Sequence, residues 1–206
     1  MPANFRMHDT FAPAHMALCT TRLRCRTMPN YRRLHTRPTW FFTVVAYQRR
    51  PIFCDPRFRA ALRQSITAVR AARPFTIDAW VLMPNHMHCI WTLPERDFDY
   101  GRRWGEIKRY VSHLCRETLH DPALLTRTAR KQRESTIWQR RFWEHQIRDD
   151  TDFERHMDYV HFNPVKHGFV LNVGEWEHST FHRYVRDGVY AQDWGGTVDA
   201  RTRDLD

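Results

Sequence analysis

Trp80-Val-Leu-Met-Pro-Asn-His-Met-His-Cys-Ile-Trp91 consists of two apolar segments separated by a short break. The break is Pro84-Asn85, and a break of this kind between apolar segments is typical of two strands joined by a tight turn. His86 and His88 follow it, two residues apart. Because alternate side chains of a strand point to the same face, the sequence predicts that both imidazoles project side by side from a sheet.

Two imidazoles side by side on a strand have the geometry of a two-histidine metal clamp. The alternative is a pair of surface histidines, or of core histidines that are satisfied by hydrogen bonds, since most histidines bind no metal. The pair alone leaves both interpretations open, and the rest of the chain has to decide between them.

The composition indicates a single globular domain that binds an acidic polymer. The chain has 206 residues, of which 42% are hydrophobic and 27% charged, as in globular rather than disordered proteins. Lys and Arg number 33 against 23 Asp and Glu, so the net charge of +10 favours a nucleic acid or an anionic membrane surface as partner. The membrane is disfavoured, because there is no apolar run of about 18 residues and no clean signal peptide.

The cysteines indicate a reducing compartment. Their number is odd and none of them has CxxC spacing, so they resemble the reduced thiols of a cytoplasmic protein rather than a disulfide framework or a zinc site. The five are Cys19, Cys25, Cys54, Cys89 and Cys115.

Residues 1–27 have no sustained periodicity and contain scattered arginines. We interpret them as a disordered basic leader that is dispensable for activity. Two alternatives are that translation starts at Met28 or that the segment is an organellar presequence. Residues 28–206, including a C-terminal tail rich in aromatic residues, are predicted to form a single domain; the tail either wraps this domain or reaches DNA.

The periodicity predicts an α+β fold. Strands are predicted at residues 39–48, 75–83, 86–93 and 137–147, helices at residues 56–73, 101–118 and 151–163, and an exposed loop at residues 120–135. Pro164 is predicted to end the last helix. This order is that of a ferredoxin-like antiparallel sheet with helices on one face, plus an added C-terminal helix.

Arginines form two candidate DNA contacts. On the second predicted helix, Arg102, Arg109 and Arg116 repeat every seven residues and form either a solvated face or a track for backbone phosphates. Arg140 and Arg141, in the fourth predicted strand, are further candidates. The apolar stripe of the second helix is predicted to comprise Trp104, Ile107, Val111 and Leu114.

The last predicted helix carries a line of polar side chains beside its buried stripe. At about 100° per residue, Asp152, His156, Tyr159 and Asn163 fall on one contiguous line. Most tyrosines at a core margin only pack a ring. Combined with a histidine pair that holds a divalent ion and with a basic surface, however, Tyr159 is a candidate nucleophile for a phosphodiester.

At these residues the chain resembles the REP-associated tyrosine transposases of bacteria, which are HUH single-tyrosine transposases of the insertion-sequence type. His86-Met87-His88 matches the His-hydrophobic-His motif of HUH single-strand endonucleases. The other matching stretches are Met28–Arg33, Phe41–Val45, Arg49–Phe53, Trp80–Asn85, Ile137–His145, Tyr159–Gly168 and Ser179–Tyr184.

The resemblance implies a metal-dependent, sequence-specific single-strand DNA endonuclease and transesterase. In this class His86, His88 and Asn163 ligate Mg²⁺ or Mn²⁺, and Tyr159 on the added helix forms a 5′-phosphotyrosine intermediate. The implied partners are single-stranded DNA and the hairpins of repetitive extragenic palindromes, and the implied process is DNA transposition and recombination. The implied setting is the bacterial cytoplasm, in association with the nucleoid, and the implied state is a monomer or homodimer.

Two other functions are compatible with parts of the sequence. A non-catalytic ferredoxin-like module could bind nucleic acid on its sheet, but it would not need the two histidines and Tyr159 together. A metal-dependent hydrolase of a small phosphate ester would not need Tyr159 as a nucleophile. Metal-dependent strand cleavage and a covalent protein–DNA adduct distinguish the transposase from both.

Overall fold

The computed structural model describes residues 38–132 and 134–195. The predicted leader, residues 1–27, lies outside the described residues, so its disorder and the domain limits stay predictions. The strands are β1 (Thr39–Val45), β2 (Thr76–Leu82), β3 (His86–Thr92) and β4 (Trp143–Gln146). The helices are α1 (Pro56–Ala72), α2 (Tyr100–Leu114), α3 (Arg127–Lys131), α4 (Asp150–Lys166) and α5 (Phe181–Arg186). None of the helices in these two ranges is long and apolar enough to cross a membrane.

The four strands form one antiparallel sheet in the order β2-β3-β1-β4, which is the ferredoxin-like arrangement. The α+β prediction is therefore confirmed. β1 and β3 occupy the centre, where aromatic and β-branched side chains pack on both faces. Their register places Val45 opposite His86 and Thr43 opposite His88.

Helices cover both faces of this sheet. α1 and α2 pack on one face, around Phe42, Met87 and Trp91. α4, which is the added C-terminal helix, covers the opposite face, where Phe41 and Ile90 are buried. Because alternate residues of β3 point to opposite faces, His86 and His88 lie on the α4 side.

α1 begins as predicted and α2 ends earlier than predicted. The carboxylate of Asp55 caps α1 by accepting a hydrogen bond from the Arg57 amide. Leu114, which was predicted to be buried, is 44% exposed, whereas Cys115 is buried. The buried stripe of α2 therefore continues from Val111 to Cys115, four residues on, and not to Leu114, three residues on. Both spacings are compatible with a helix, so the apolar pattern alone did not distinguish them.

The predicted fourth strand is wrong over its first half. Only Trp143–Gln146 pairs with β1 as a ladder, whereas Trp138 makes an isolated bridge to Ala46. Ile137 and Trp138 are both buried in the same apolar cluster, although adjacent residues of a flat strand point to opposite faces. The preceding segment, predicted to be a loop, contains the short helix α3 and a 3-10 turn at Pro122–Leu124.

α4 passes the proline that was predicted to stop it. The helix continues through Pro164 and ends at Lys166; His167 is its C-cap residue, followed by Gly168, whose φ is +69°. The Gly168 amide donates to the Val165 carbonyl and the Phe169 amide to the Pro164 carbonyl, which is the Schellman pattern. Gly168, rather than Pro164, is the true helix stop.

The tail, as far as residue 195, packs against the domain. The Leu82 amide donates to the His178 carbonyl and the Thr180 amide to the Trp80 carbonyl, so the tail covers the outer edge of β2. α5 adds the Tyr184 hydroxyl, which donates to the Asp78 carbonyl over 2.6 Å. The opposite edge of the sheet is β4.

The buried side chain of His161 is expected to make the free energy of unfolding depend on pH. Its ring is fully buried, with Nδ1 3.1 Å from the Tyr190 hydroxyl and Nε2 2.9 Å from the Thr180 hydroxyl. Burial lowers its pKa from 6.5 to about 3. Between these values the unfolded chain binds a proton that the folded chain does not, so we expect His161 to cost about 1.4 kcal/mol of stability per pH unit as the pH falls.

The measurement is urea unfolding of the native protein and of His161→Gln at about pH 7, 6 and 5. Asp158, which accepts a hydrogen bond from Tyr190, acts in the opposite direction because burial raises its pKa to about 6. Asp158 is present in both proteins, so the difference between their slopes isolates His161. Equal slopes would contradict the prediction.

Candidate active site

His86 and His88 lie side by side on the central strand β3, as the sequence predicts. Their ring centroids are 5.0 Å apart, and both rings face α4. The two residues are 7% and 4% exposed. They are therefore not surface histidines, and their hydrogen bonds decide whether they are satisfied core residues or ligands.

One nitrogen of each ring is held by a neighbour. His86 Nδ1 lies 2.7 Å from Asn85 Oδ1, which can only accept, so Nδ1 carries the proton and Nε2 keeps its lone pair. His88 Nδ1 lies 2.9 Å from the Thr43 hydroxyl, which is compatible with the same tautomer. Metal-binding histidines are oriented in this way by a hydrogen bond at their other nitrogen.

Burial keeps both imidazoles neutral. Desolvation lowers the pKa of His86 to about 4 and that of His88 well below its usual value of 6.5, and in each case the neighbouring histidines lower it further. A neutral imidazole is the form that ligates a metal ion. The pair is therefore ready to bind an ion at neutral pH without losing protons.

Asn163 closes the site from α4. It is completely buried, and among the described residues neither its Oδ1 nor its Nδ2 has a well-formed hydrogen bond. Its amide is nevertheless close enough to oppose both shifts that burial causes, the lowered pKa of His86 and the raised pKa of Tyr159. A buried amide without partners is costly, and an ion would satisfy its oxygen. Two imidazole nitrogens and an amide oxygen fit a divalent cation such as Mn²⁺ or Mg²⁺.

Tyr159 lies one turn before Asn163 and contacts His88 of the histidine pair. Its ring centroid is 5.2 Å from that of His88 and 5.9 Å from that of Phe41. The ammonium nitrogen of Lys166 lies 5.6 Å from the centre of the same ring. Desolvation raises the pKa of the half-buried tyrosine, so its hydroxyl is protonated at neutral pH.

The sequence did not identify His167 as part of this site. Its ring centroid lies 5.2 Å from that of His86, at the C-terminal end of α4. The sequence predicts that the helix ends at Pro164, which would leave His167 in a loop of unknown direction. Gly168 was the available signal, since glycine often follows the last residue of a helix.

A second cluster on the same face consists of His145, Asp152 and His156. Asp152 Oδ2 lies 2.9 Å from His145 Nε2 and accepts from the Arg148 amide, while Oδ1 lies 3.0 Å from His156 Nδ1. The ligand atoms lie within 4.8 Å of one another, but the two rings are stacked at 15°. Imidazole lone pairs lie in the ring plane, so stacked rings do not direct them to one point. We interpret the cluster as a hydrogen-bonded clamp between β4 and α4.

The predicted DNA contacts fall in two places. Arg102, Arg109 and Arg116 are exposed on or just after α2, on the side of the sheet opposite the histidines. The structure therefore does not bring this row to the site. Arg140 and Arg141 are exposed immediately before β4. DNA contact by either group stays a prediction.

The chain is similar to proteins whose family is known. It is 45% identical to the REP-associated tyrosine transposase of Escherichia coli K12 over 172 residues, which is 83% of this chain and 93% of the relative. It is 39% identical over 184 residues to a Haemophilus influenzae protein assigned to the same family, covering 85% of this chain and 98% of the relative. No protein-family model matches the chain.

A solved structure leads to the same family. It is a REP-associated tyrosine transposase bound to a REP hairpin, with a TM-score of 0.65 and 45% sequence identity over 84% of this chain and 94% of the solved chain. Together with the curated relatives, it establishes that this chain belongs to the family of REP-associated tyrosine transposases.

Proposed function

We propose that this transposase binds a DNA hairpin of the REP type and cuts one strand beside it, with Tyr159 as the nucleophile. The observation that carries the proposal is the contact of the Tyr159 ring with His88. One helical turn further on lies the buried amide of Asn163, which has no well-formed hydrogen bond within the part of the chain that the structure describes. A tyrosine that only packed a core margin would not need a buried, unsatisfied amide beside it.

His86, His88 and Asn163 would hold Mg²⁺ or Mn²⁺. When bound, the ion supplies positive charge that polarises the phosphodiester and stabilises the charge that develops in the transition state. The protein's contribution is to hold the two imidazoles neutral and correctly oriented, through Asn85 and Thr43.

The chemical step is a transesterification. The Tyr159 oxygen attacks phosphorus, the bond from phosphorus to the 3′ oxygen breaks, and the strand remains attached through a 5′-phosphotyrosine. The hydroxyl loses its proton and the departing 3′ oxygen gains one, so protons balance. One phosphodiester is exchanged for another, and a free 3′ hydroxyl can therefore reverse the step without ATP.

The net charge of the chain and its similarity to a hairpin-bound relative both favour hairpin DNA as the partner. The chain carries a net charge of +10, which suits a polyanion. The solved relative is bound to a REP hairpin. Cutting by Tyr159 additionally requires a single-stranded segment, because the phosphodiester has to reach a half-buried hydroxyl between α4 and the sheet.

An adduct assay tests the proposal. A radiolabelled REP hairpin with single-stranded flanks is incubated with the protein and Mg²⁺ or Mn²⁺, and the products are separated under denaturing conditions. We expect a protein–DNA adduct and a shortened strand. Binding without either product would favour the non-catalytic module, and hydrolysis of small phosphate esters without an adduct would favour the hydrolase.

The two arginine groups should differ in their effect on the salt dependence of binding. Each lost phosphate contact lowers the slope of log affinity against log salt by about 0.7 to 0.9. Because β4 belongs to the sheet that carries the histidines, we expect the double change of Arg140 and Arg141 to Gln to flatten the slope more than the triple change of Arg102, Arg109 and Arg116. Titrations of a labelled REP hairpin at several salt concentrations measure both slopes. A larger effect of the α2 triple variant would place the phosphate track on the opposite side of the sheet.

A further inference from the structure

Trp143 lies in the same cross-strand row as the metal-site histidine. In the sheet register Trp143 of β4 is opposite Thr43 of β1, and Thr43 is opposite His88 of β3. Directly paired residues point to the same face, so the three side chains form one row on the α4 side. Neighbouring strands are about 4.8 Å apart, which places the Trp143 backbone about 10 Å from that of His88.

The indole is held in place and still exposed. It is 53% exposed, on the edge strand of the sheet. Phe41 contacts it edge-on at 5.7 Å between centroids, and the His145 ring is parallel to it at 6.0 Å. His145 is itself fixed by Asp152 in the clamp. Single exposed aromatic residues are common, but this one is supported from two sides and aligned with the site.

Two exposed arginines lie close to this indole in the sequence. Arg141 precedes it by two residues and Arg148 follows it by five, and both are exposed. The backbone amide of Arg148 is fixed by Asp152, so the chain there has a defined path. A flat aromatic ring beside exposed guanidinium groups is the combination that binds single-stranded nucleic acid, through base stacking and phosphate contacts.

We propose that Trp143 is a stacking platform for a base of the single-stranded DNA segment that leads to the scissile phosphate. The inference rests on the proposed function and deepens it, because it assigns the path of the strand: from Tyr159 and the histidines, across Thr43, to the edge strand. An unpaired base suits this platform, since the bases inside a duplex are already stacked on their neighbours on both faces.

Three variants distinguish the effect of aromatic stacking from that of the apolar volume of the side chain. Trp143→Phe keeps an aromatic face, and Trp143→Leu keeps apolar bulk without one. Phe98→Ala removes a similarly exposed aromatic residue (58%) just before α2, the helix that packs on the other face of the sheet. The probes are fluorescein-labelled REP hairpins with a 5′ flank, with a 3′ flank, or with no flank. Thermal unfolding of each variant measures its stability.

We expect Trp143→Leu to weaken binding of one flanked hairpin by about 10- to 100-fold and to leave the flankless hairpin unaffected, because stacking on an aromatic side chain contributes about that much per base. Trp143→Phe should restore most of the affinity, and Phe98→Ala should bind like the native protein. With 2-aminopurine placed along the flank, one position should lose fluorescence on binding the native protein but not Trp143→Leu.

The proposal is overturned if Trp143→Leu binds flanked and flankless hairpins like the native protein, or if it weakens both equally. It is also overturned if Trp143→Leu changes only self-association, which would make β4 an interface between two copies of the chain. These outcomes differ from failure of the proposed function. If the native protein formed no adduct, the proposed function would fail, but the flank-specific loss of binding could still be measured. If the native protein cut DNA and Trp143→Leu bound all hairpins like the native protein, only the stacking proposal would fail.

Discussion

Tyr159→Phe is expected to abolish strand cleavage and adduct formation while leaving hairpin binding and the fold intact. The substitution removes one oxygen and keeps the ring that contacts His88 and Phe41. The free energy of unfolding should therefore change by no more than about 1 to 2 kcal/mol. Cleavage requires the missing oxygen as the nucleophile, so product should fall to the detection limit.

The matched control is Tyr110→Phe, which removes the same atom from an exposed tyrosine on α2. It should cut like the native protein. Mass spectrometry of the trapped adduct identifies the modified residue directly. A nucleotide on Tyr184 or Tyr190, or undiminished cleavage by Tyr159→Phe, would refute Tyr159 as the nucleophile.

Much of the fold follows from periodicities of two and of about 3.6 residues. β3 was identifiable because apolar segments flank the Pro84-Asn85 break, and α1 because Asp55 and Pro56 form a helix start. The sheet order followed from the sequence of elements, since a split βαβ pattern has few compact arrangements. The sequence was misleading where it contained two signals for the end of a helix. Pro164 predicts that α4 ends before it, whereas the helix ends just before Gly168.

The site was predictable in part for a different reason. His86 and His88 share a strand, and Tyr159 and Asn163 share a helix, so local geometry indicated each pair. The meeting of the two pairs depends on α4 crossing the sheet on the face opposite α1 and α2, which no local pattern specifies. The resemblance to a known family supplied that step.

Contacts between distant segments were beyond the sequence patterns. Asp152 and His156 were recognised as neighbours one turn apart, but their partner His145 belongs to β4. The significance of Trp143 likewise depends on β4 being the edge strand and on its register with β1. A pattern of alternation predicts that a strand exists, but not which neighbours it pairs with or which edge remains exposed.

His86→Ala and His88→Ala are each expected to slow cleavage by at least about 100-fold while leaving hairpin binding within about a few-fold of the native value. The ion acts on charge that develops in the transition state, whereas affinity comes mainly from phosphate and base contacts. Losing about 3 to 4 kcal/mol of transition-state stabilisation would slow cleavage by about 100- to 1,000-fold. Calorimetric titration with Mn²⁺ should show weakened metal binding in both variants.

Both histidines are buried, so the variants also test a structural role. His86→Gln and His88→Gln fill more of the space and check whether a cavity explains any loss, and His113→Ala, on the exposed side of α2, is the control for removing an imidazole. If the site is a metal site, Mn²⁺ raises the stability of the native protein but not that of the variants, because a ligand that binds only the folded state raises its stability. If the histidines are merely satisfied core residues, the variants unfold more easily in EDTA, and Mn²⁺ stabilises the native protein no more than it stabilises them. The comparison with and without Mn²⁺ therefore separates the two interpretations that the pair of histidines left open.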